Sequence, residues 1–227
     1  MKNKLRMVLG VAALGTALLA MPAPASAGGP HVDPAGVAFT AEGGSFSLTN
    51  GSGFPIVCSG PNLLVGNFDA GSNTTGEISV DYTNCQVSGF TYKCHSVGAA
   101  LLNTISVKGI RFQTVYTSDS KSDLGLLLTL PSSIFAPAVQ LSCEGLGTVE
   151  VKGSFMGRIT APKCGESSSS ATLAFTATGN KQNQMQITGT GQPYDLEDRL
   201  GSNAWTTAAV TTTTTLAFKE KATWTCL

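Results

Sequence analysis

An all-β fold, an antiparallel β-sandwich or barrel stapled by three disulfides, is what this 227-residue sequence predicts. Three observations predict it. Short runs alternate apolar and polar residues with the period of two that half-buried strands require. Glycine-rich turns separate those runs, and the chain beyond residue 27 shows no convincing amphipathic helix. Six cysteines, an even number, follow a leader that addresses the chain to an oxidising compartment, where thiols pair.

The leader is MKNKLRMVLGVAALGTALLAMPAPASA. Lys2, Lys4 and Arg6 form a basic head, Met7 to Met21 is an apolar run without charge, and PAPASA offers small residues for cleavage after Ala27. The run is too short for the roughly 20 residues that cross a bilayer, and Pro22 and Pro24 end it. Residues 1–27 are therefore read as a cleaved secretory signal peptide, and 28–227 as a single all-β domain of 200 residues, secreted to the extracellular side. No later run is long enough to span a membrane, so no transmembrane segment is expected in the mature chain. Without the head, 11 Lys and Arg face 14 Asp and Glu, a net charge of about −3. Nucleic acid is excluded as a partner on that balance, because neutralising phosphates needs a basic face.

The elements follow in order. VAFTAE (37–42) and SFSLTN (45–50) flank Gly43-Gly44, read as a tight turn; FPIVCS (54–59) and LLVGNF (63–68) flank Gly60-Pro61-Asn62. GSNTTG (71–76) is a turn. GEISVDYTNC alternates Ile78, Val80 and Tyr82 against Ser79, Asp81 and Thr83, and FTYKC then sets Phe90, Tyr92 and Cys94 on one face beyond a Ser88-Gly89 turn. LLNTISVKGIRFQTVYT (101–117) reads as two strands meeting near Gly109. LGLLLTLPSSIFAPAVQLSC (124–143) reads as two buried strands joined at Pro131-Ser132-Ser133; its prolines argue against a membrane helix. TVEVKGSFMGRIT (148–160) has strand texture, ESSSSA (166–171) reads as a loop, and ATLAFTATGNKQNQMQIT (171–188) as a hairpin around Gly179-Asn180. PYDLEDRLG (193–201), with Pro near its start and Gly at its end, reads as a turn or two of helix. From Val210 the even positions carry Leu216, Phe218, Trp224 and Cys226, while Thr211, Thr213 and Thr215 form a small polar face. A turn is expected at Lys219-Glu220-Lys221.

In the stretch DYTNCQVSGFTYKCH, eight residues separate Cys85 from Cys94, and His95 follows. A metal site needs ligands in sets, and here one Cys-His dipeptide stands alone, its side chains directed to opposite faces of a strand. A catalytic thiol would leave another cysteine unpaired. A staple across the hairpin, Cys85–Cys94, is the reading preferred, with Cys58–Cys143 and Cys164–Cys226 completing the set; no metal or cofactor is expected.

The order IVCSG, VDYTNC, KCHS, LSCEG, TVEVKGSFMGRIT and ATLAFTATGNKQ resembles a group of uncharacterised secreted, cysteine-containing β-rich proteins common in actinobacteria, over roughly Gly53 to Gln182. The resemblance implies export and a β-rich fold, and it implies no activity. Cys164 and Cys226 lie outside the shared pattern.

Chemistry is sparse. A hydrolytic triad needs a histidine base, and only His31 and His95 are present, without a G-x-S-x-G elbow. Glycosidase chemistry needs two carboxylates about 5–10 Å apart, and the densest acidic cluster is Asp195, Glu197 and Asp198 beside Tyr194 and Arg199. That segment with Trp205 is the candidate binding loop, since loops on rigid β scaffolds carry function. Three readings follow. The first is a non-catalytic binding or structural domain at the cell envelope or in the medium, which should expose an aromatic or threonine strip without a deep cleft. The second is a hydrolase using carboxylates or His95, which should set them in a pocket with perturbed titration. The third is a carrier of an apolar ligand, which should enclose several hundred Å3, roughly the size of a ligand pocket.

Overall fold

A computed structural model describes residues 29–51, 53–99, 101–117, 121–132, 138–183 and 196–226. The predicted leader lies outside them. The described chain is all-β. Its first strands are β1 (His31–Asp33), β2 (Ala38–Glu42), β3 (Phe46–Thr49), β4 (Ile56–Cys58), β5 (Leu63–Phe68) and β6 (Thr75–Tyr82). Then come β7 (Cys85–Val87), β8 (Cys94–Ser96), β9 (Ile105–Tyr116), β10 (Leu124–Thr129), β11 (Val139–Cys143) and β12 (Gly147–Ala161). The last are β13 (Ser167–Phe175), β14 (Ala177–Thr178), β15 (Lys181–Gln182), β16 (Leu196–Leu200), β17 (Thr206–Thr207) and β18 (Ala209–Thr225).

Eight strands close into an antiparallel barrel in the order β2, β5, β6, β9, β10, β12, β13, β18 and back to β2. A barrel of that number is just wide enough for side chains to fill. The filling pairs rings with glycines. Phe39 faces Gly66 across β2 and β5, and Phe112 faces Gly76 across β9 and β6. A Cβ on Gly66 would fall 2.6 Å from the Phe39 ring, and one on Gly76 would fall 2.3 Å from Phe112. Phe39 lies within 6.0 Å, centre to centre, of Phe68, Phe112 and Phe218, and Trp224 packs edge-on against Phe68.

A second layer grows from strands that outrun the barrel. The start of β18 pairs β3, which pairs β4, which pairs β7. The first half of β12 is flanked by β11 and β16, and these in turn carry β8 and β17. Gly153, at φ 102°, marks where β12 leaves β16 and enters the barrel beside β10. The β7–β8 hairpin bridges the two outer sheets through Gln86 and Lys93. One continuous apolar core runs through both layers.

Several sequence expectations change here, each because a distant strand overrides local pattern. Residues 101–117 hold one strand, with Gly109 (φ 73°) as the extra residue of a bulge opposite Ile78–Val80. ESSSSA is strand from Ser167, because β18 supplies its ladder. Lys219–Lys221 form an outward bulge in β18, not a turn. β2 and β3 do not pair across Gly43-Gly44; both lie on β18. The helical reading of 193–201 gives way to strand β16, which takes its hydrogen bonds from β12. His31 sits in β1 against β18. Of the hairpin expected over 171–188, the turn at Gly179-Asn180 forms between the two-residue strands β14 and β15, residues 171–175 pair with β12 and β18 instead, and 184–188 lie outside the described residues. The two apolar strands of 124–143 also form, as β10 and β11, although Ser133 of their connection lies outside the described residues.

The disulfide framework is corrected most. The bonds are Cys58–Cys85, Cys94–Cys143 and Cys164–Cys226. Only the last agrees with the sequence reading; it ties the segment after β12 to the end of β18. Cys85–Cys94 and Cys58–Cys143 do not form. The register explains why. Cys58 stands opposite Cys85, and Cys94 opposite Cys143. Extending the Gln86–Lys93 bridge by one residue sets Cys85 opposite Cys94 as well. Four cysteines thus form one row across β4, β7, β8 and β11. A bond between the middle two would strand the outer two three strand spacings apart, about 14 Å, far beyond disulfide reach. Bonding each middle cysteine outward satisfies all four. The carbonyls of Asn103 and Thr104 accept the N–H groups of Cys85 and Ser96, so the 103–104 segment also holds this end of the hairpin.

Candidate functional site

The hairpin that the cysteine row clamps ends in aromatic rings. Ser88 N–H donates to the Pro55 carbonyl, Gly89 takes φ 81°, and Phe90 N–H donates back to Val87, which turns the chain in four residues. Phe90 and Tyr92 stack at 5.2 Å with their planes 10° apart, and Phe54 leans on Phe90 at 6.3 Å. Tyr92 lies on Gly145, where a Cβ would come within 2.9 Å of the ring. Phe54 is fixed by Asn50, whose side chain donates to the Phe54 carbonyl (2.8 Å) and accepts from its N–H (2.9 Å). Lys93 and Glu144 exchange two backbone-anchored bonds behind the tip. Phe90 nevertheless remains 46% exposed. Gln86, Gly89, Phe90, Thr91 and Tyr92 line an open groove of about 530 Å3 beside it.

The alternation set Phe90, Tyr92 and Cys94 together on one strand face. Only Cys94 is buried. β8 begins at Cys94, so the two rings precede the strand and belong to the turn. An aromatic pair within a Gly-containing turn between two cysteines was the available signal.

The predicted binding loop is resolved differently. Tyr194 and Asp195 lie outside the described residues. Glu197 and Asp198 belong to β16, and alternation sends them to opposite faces. On the outer face, Gln140, Glu150 and Arg199 share a row across β11, β12 and β16, and Lys152 and Glu197 share the next. Arg199 bonds Glu150, Gln140 donates to Glu150 at 2.8 Å, and Lys152 meets Glu197 at 3.0 Å. The Trp205 ring lies 4.0 Å from the Lys152 ammonium and 4.6 Å from the Arg199 guanidinium. The Arg199 and Gln140 bonds hold the Glu150 carboxyl below its usual range. Both cations have carboxylate partners, so this cluster clamps the edge strand β17 down.

Asp198 points inward and is fully buried. It accepts from the Thr206 hydroxyl at 2.9 Å and from the Gly51 N–H, while its Oδ2 has no partner among the described residues. Burial pushes its carboxyl above the ordinary value. A raised folded-state value means that its contribution is complete below the unfolded carboxylate range and is lost as pH rises through the folded value. Asp198→Asn removes that loss. Thermal melts should show the variant more stable at pH 7 by about 2–4 °C, roughly 1 kcal/mol, with the difference vanishing near pH 3. A variant less stable at every pH would show that the ionised carboxylate is a satisfied partner.

His95 lies on β8 opposite Ser142, outside any ion pair among the described residues; His31 is 3.4 Å from Asp33 at the surface. No group of three His, Cys, Asp or Glu close enough to hold a metal ion occurs among the described residues, and all six cysteines are bonded. Among the described residues, voids of about 40 and 60 Å3 lie in the core, both bordered by Val80, Tyr82, Ile110, Phe155 and Val210. Neither approaches the roughly 300 Å3 at which ligand cavities begin. No known protein family, curated protein or solved structure matches the chain.

Proposed function

We propose that this chain is an exported domain that binds a component of the cell envelope or the medium without transforming it, and that its contact surface is the β7–β8 hairpin tip. The observation that carries this reading is a rigid aromatic pair left exposed on a molecule whose interior is filled. Each strand of the hairpin is bonded through sulfur to its outer neighbour, and Tyr92 and Phe54 are seated from below. Surface rings fixed in advance avoid the about 0.5–1.5 kcal/mol per side chain that ordering on contact costs. Export is supported by the leader-like first 27 residues and by the three disulfides. No helix among the described residues is long and apolar enough to cross a membrane. Among the described residues, the core voids are too small for the carrier reading, and of the acids singled out for a hydrolase Glu197 is paired with Lys152 and Asp198 is sealed from solvent.

Co-sedimentation with envelope fragments of the source cells tests the proposal. The Phe90→Ala/Tyr92→Ala double variant should bind more weakly by about tenfold or more, since each buried ring contributes on the order of 1 kcal/mol to a contact. Phe90 is exposed, so Phe90→Ala alone should melt near the parent, whereas Tyr92 packs on Gly145 and against the core, so the double variant should melt lower and its binding is compared at a temperature where circular dichroism shows it folded. Undiminished binding by the double variant would place the contact elsewhere.

A further inference from the structure

The chemistry of the groove narrows the ligand, given the proposal that the hairpin tip is the contact surface. We infer that the occupant is a neutral polysaccharide, with one sugar ring stacked on Phe90 and its hydroxyls held by the Gln86 amide and the Thr91 hydroxyl.

A pyranose presents a flat patch of C–H bonds, slightly positive, which suits the negative face of an aromatic ring. Tyr92 stacks against Phe90, yet Phe90 stays 46% exposed. The rim of a sugar both donates and accepts hydrogen bonds, and so do an amide and a hydroxyl. Gln86 and Thr91 line the same groove as the rings. None of the five lining residues is charged, so the groove offers no counter-charge to an anionic polymer. The charged residues next to it, Lys93 and Glu144, are one of each sign; the Lys93 N–H donates to the Glu144 carboxylate and the Glu144 N–H to the Lys93 carbonyl. The groove is open, which suits a chain lying along it more than a small molecule enclosed by it. A protein partner is less well matched. A stable protein contact takes about 800 Å2 on each side around an apolar centre, and Phe90 is the one exposed large apolar side chain among the five residues lining the groove. Strand addition is also closed off, since β7 is paired with β4 and β8 with β11.

The test is sedimentation of the exported form with insoluble cellulose, β-1,3-glucan and mannan, with cross-linked polygalacturonate as the anionic comparison. It is repeated on envelope fragments treated with periodate, which cleaves sugar diols, or with protease. Retention by a neutral polymer should persist at about 0.5 M salt, where exposed charge pairs are screened. It should fall by about tenfold or more in Phe90→Ala, and be kept in Phe90→Trp. Loss of envelope binding on periodate treatment supports the inference even if none of the three polymers is retained. Retention on polygalacturonate alone, removed by salt, overturns it. Envelope binding that needs Phe90 but survives periodate and is destroyed by protease also overturns it, while leaving the hairpin as the contact surface. Envelope binding indifferent to both Phe90 and Tyr92 overturns the hairpin reading itself. Circular dichroism of each variant identifies any that has failed to fold, and Gln86→Ala then serves as the second, ring-independent variant, expected to weaken retention.

Discussion

Full reduction is expected to unfold the domain at 25 °C. The three bonds close segments with sequence separations of 27, 49 and 62. In the chain-entropy model each stabilises by about 3.5–4.5 kcal/mol. The segments follow one another without overlap, so the contributions add to a first approximation, about 12 kcal/mol in all. That is comparable with the whole stability of an ordinary domain, about 5–15 kcal/mol. The bonds should not open together. Cys58, Cys85 and Cys94 are fully buried and Cys143 nearly so, whereas Cys164 and Cys226 are only partly covered. Mild reductant should therefore open Cys164–Cys226 first and lower the melting temperature modestly. The other two should resist until denaturant is added, and their loss should abolish the cooperative transition. A reduced and alkylated protein that still melts cooperatively within a few degrees of the parent would show the cross-links to be incidental.

The barrel interior should be similarly intolerant at Phe39. Its ring is fully buried, is packed against three other rings and covers Gly66. Phe39→Ala should cost about 3–5 kcal/mol in urea unfolding, the range for a large ring deleted from a core that cannot collapse around the gap. Gly66→Ala acts in the opposite sense, by overpacking. The added methyl would sit 2.6 Å from the Phe39 ring and 2.9 Å from the Glu77 carbonyl oxygen, and should cost about 1–3 kcal/mol. Combined as Phe39→Leu with Gly66→Ala, the smaller side chain makes room for the methyl. The double variant should lose less than the two single changes together, by about 0.5 kcal/mol or more. The Glu77 oxygen belongs to the backbone and cannot yield, so compensation should be partial. Strict additivity would show that ring and glycine do not share one space.

What could be read from the sequence was local in origin. Alternation along 37–42, 77–82 and 210–218 identified strands, because one face of each is buried by whatever strand lies opposite. Gly179-Asn180 declared its own turn. The outward threonines of β18 were recognisable from period alone, and Thr211, Thr213 and Thr215 are exposed. What could not be read depends on neighbours distant in the chain. The cysteine row exists only because β4 lies beside β7 and β11 beside β8, and hairpin proximity by itself favoured the wrong pair. ESSSSA has weak strand preference until β18 pairs with it. The acids of 193–201 looked like one solvated cluster, but strand alternation sends Glu197 to the surface and Asp198 into the core. Trp205 lies over Lys152, the partner of Glu197, and over Arg199, which makes the group a clamp and not an open loop. Phe90 and Tyr92 were noticed as a pattern and misplaced as to face, since alternation cannot tell where a strand stops.

The rigidity of the hairpin tip, on which its role as a contact surface rests, follows from stapling each of its strands outward. The direct measurement is peptide mapping of the unreduced protein by mass spectrometry, digested at acidic pH so that thiols do not exchange. The expected cross-linked peptides join Cys58 to Cys85, Cys94 to Cys143 and Cys164 to Cys226. A peptide joining Cys85 to Cys94, or free thiol at Cys58 and Cys143, would contradict the account.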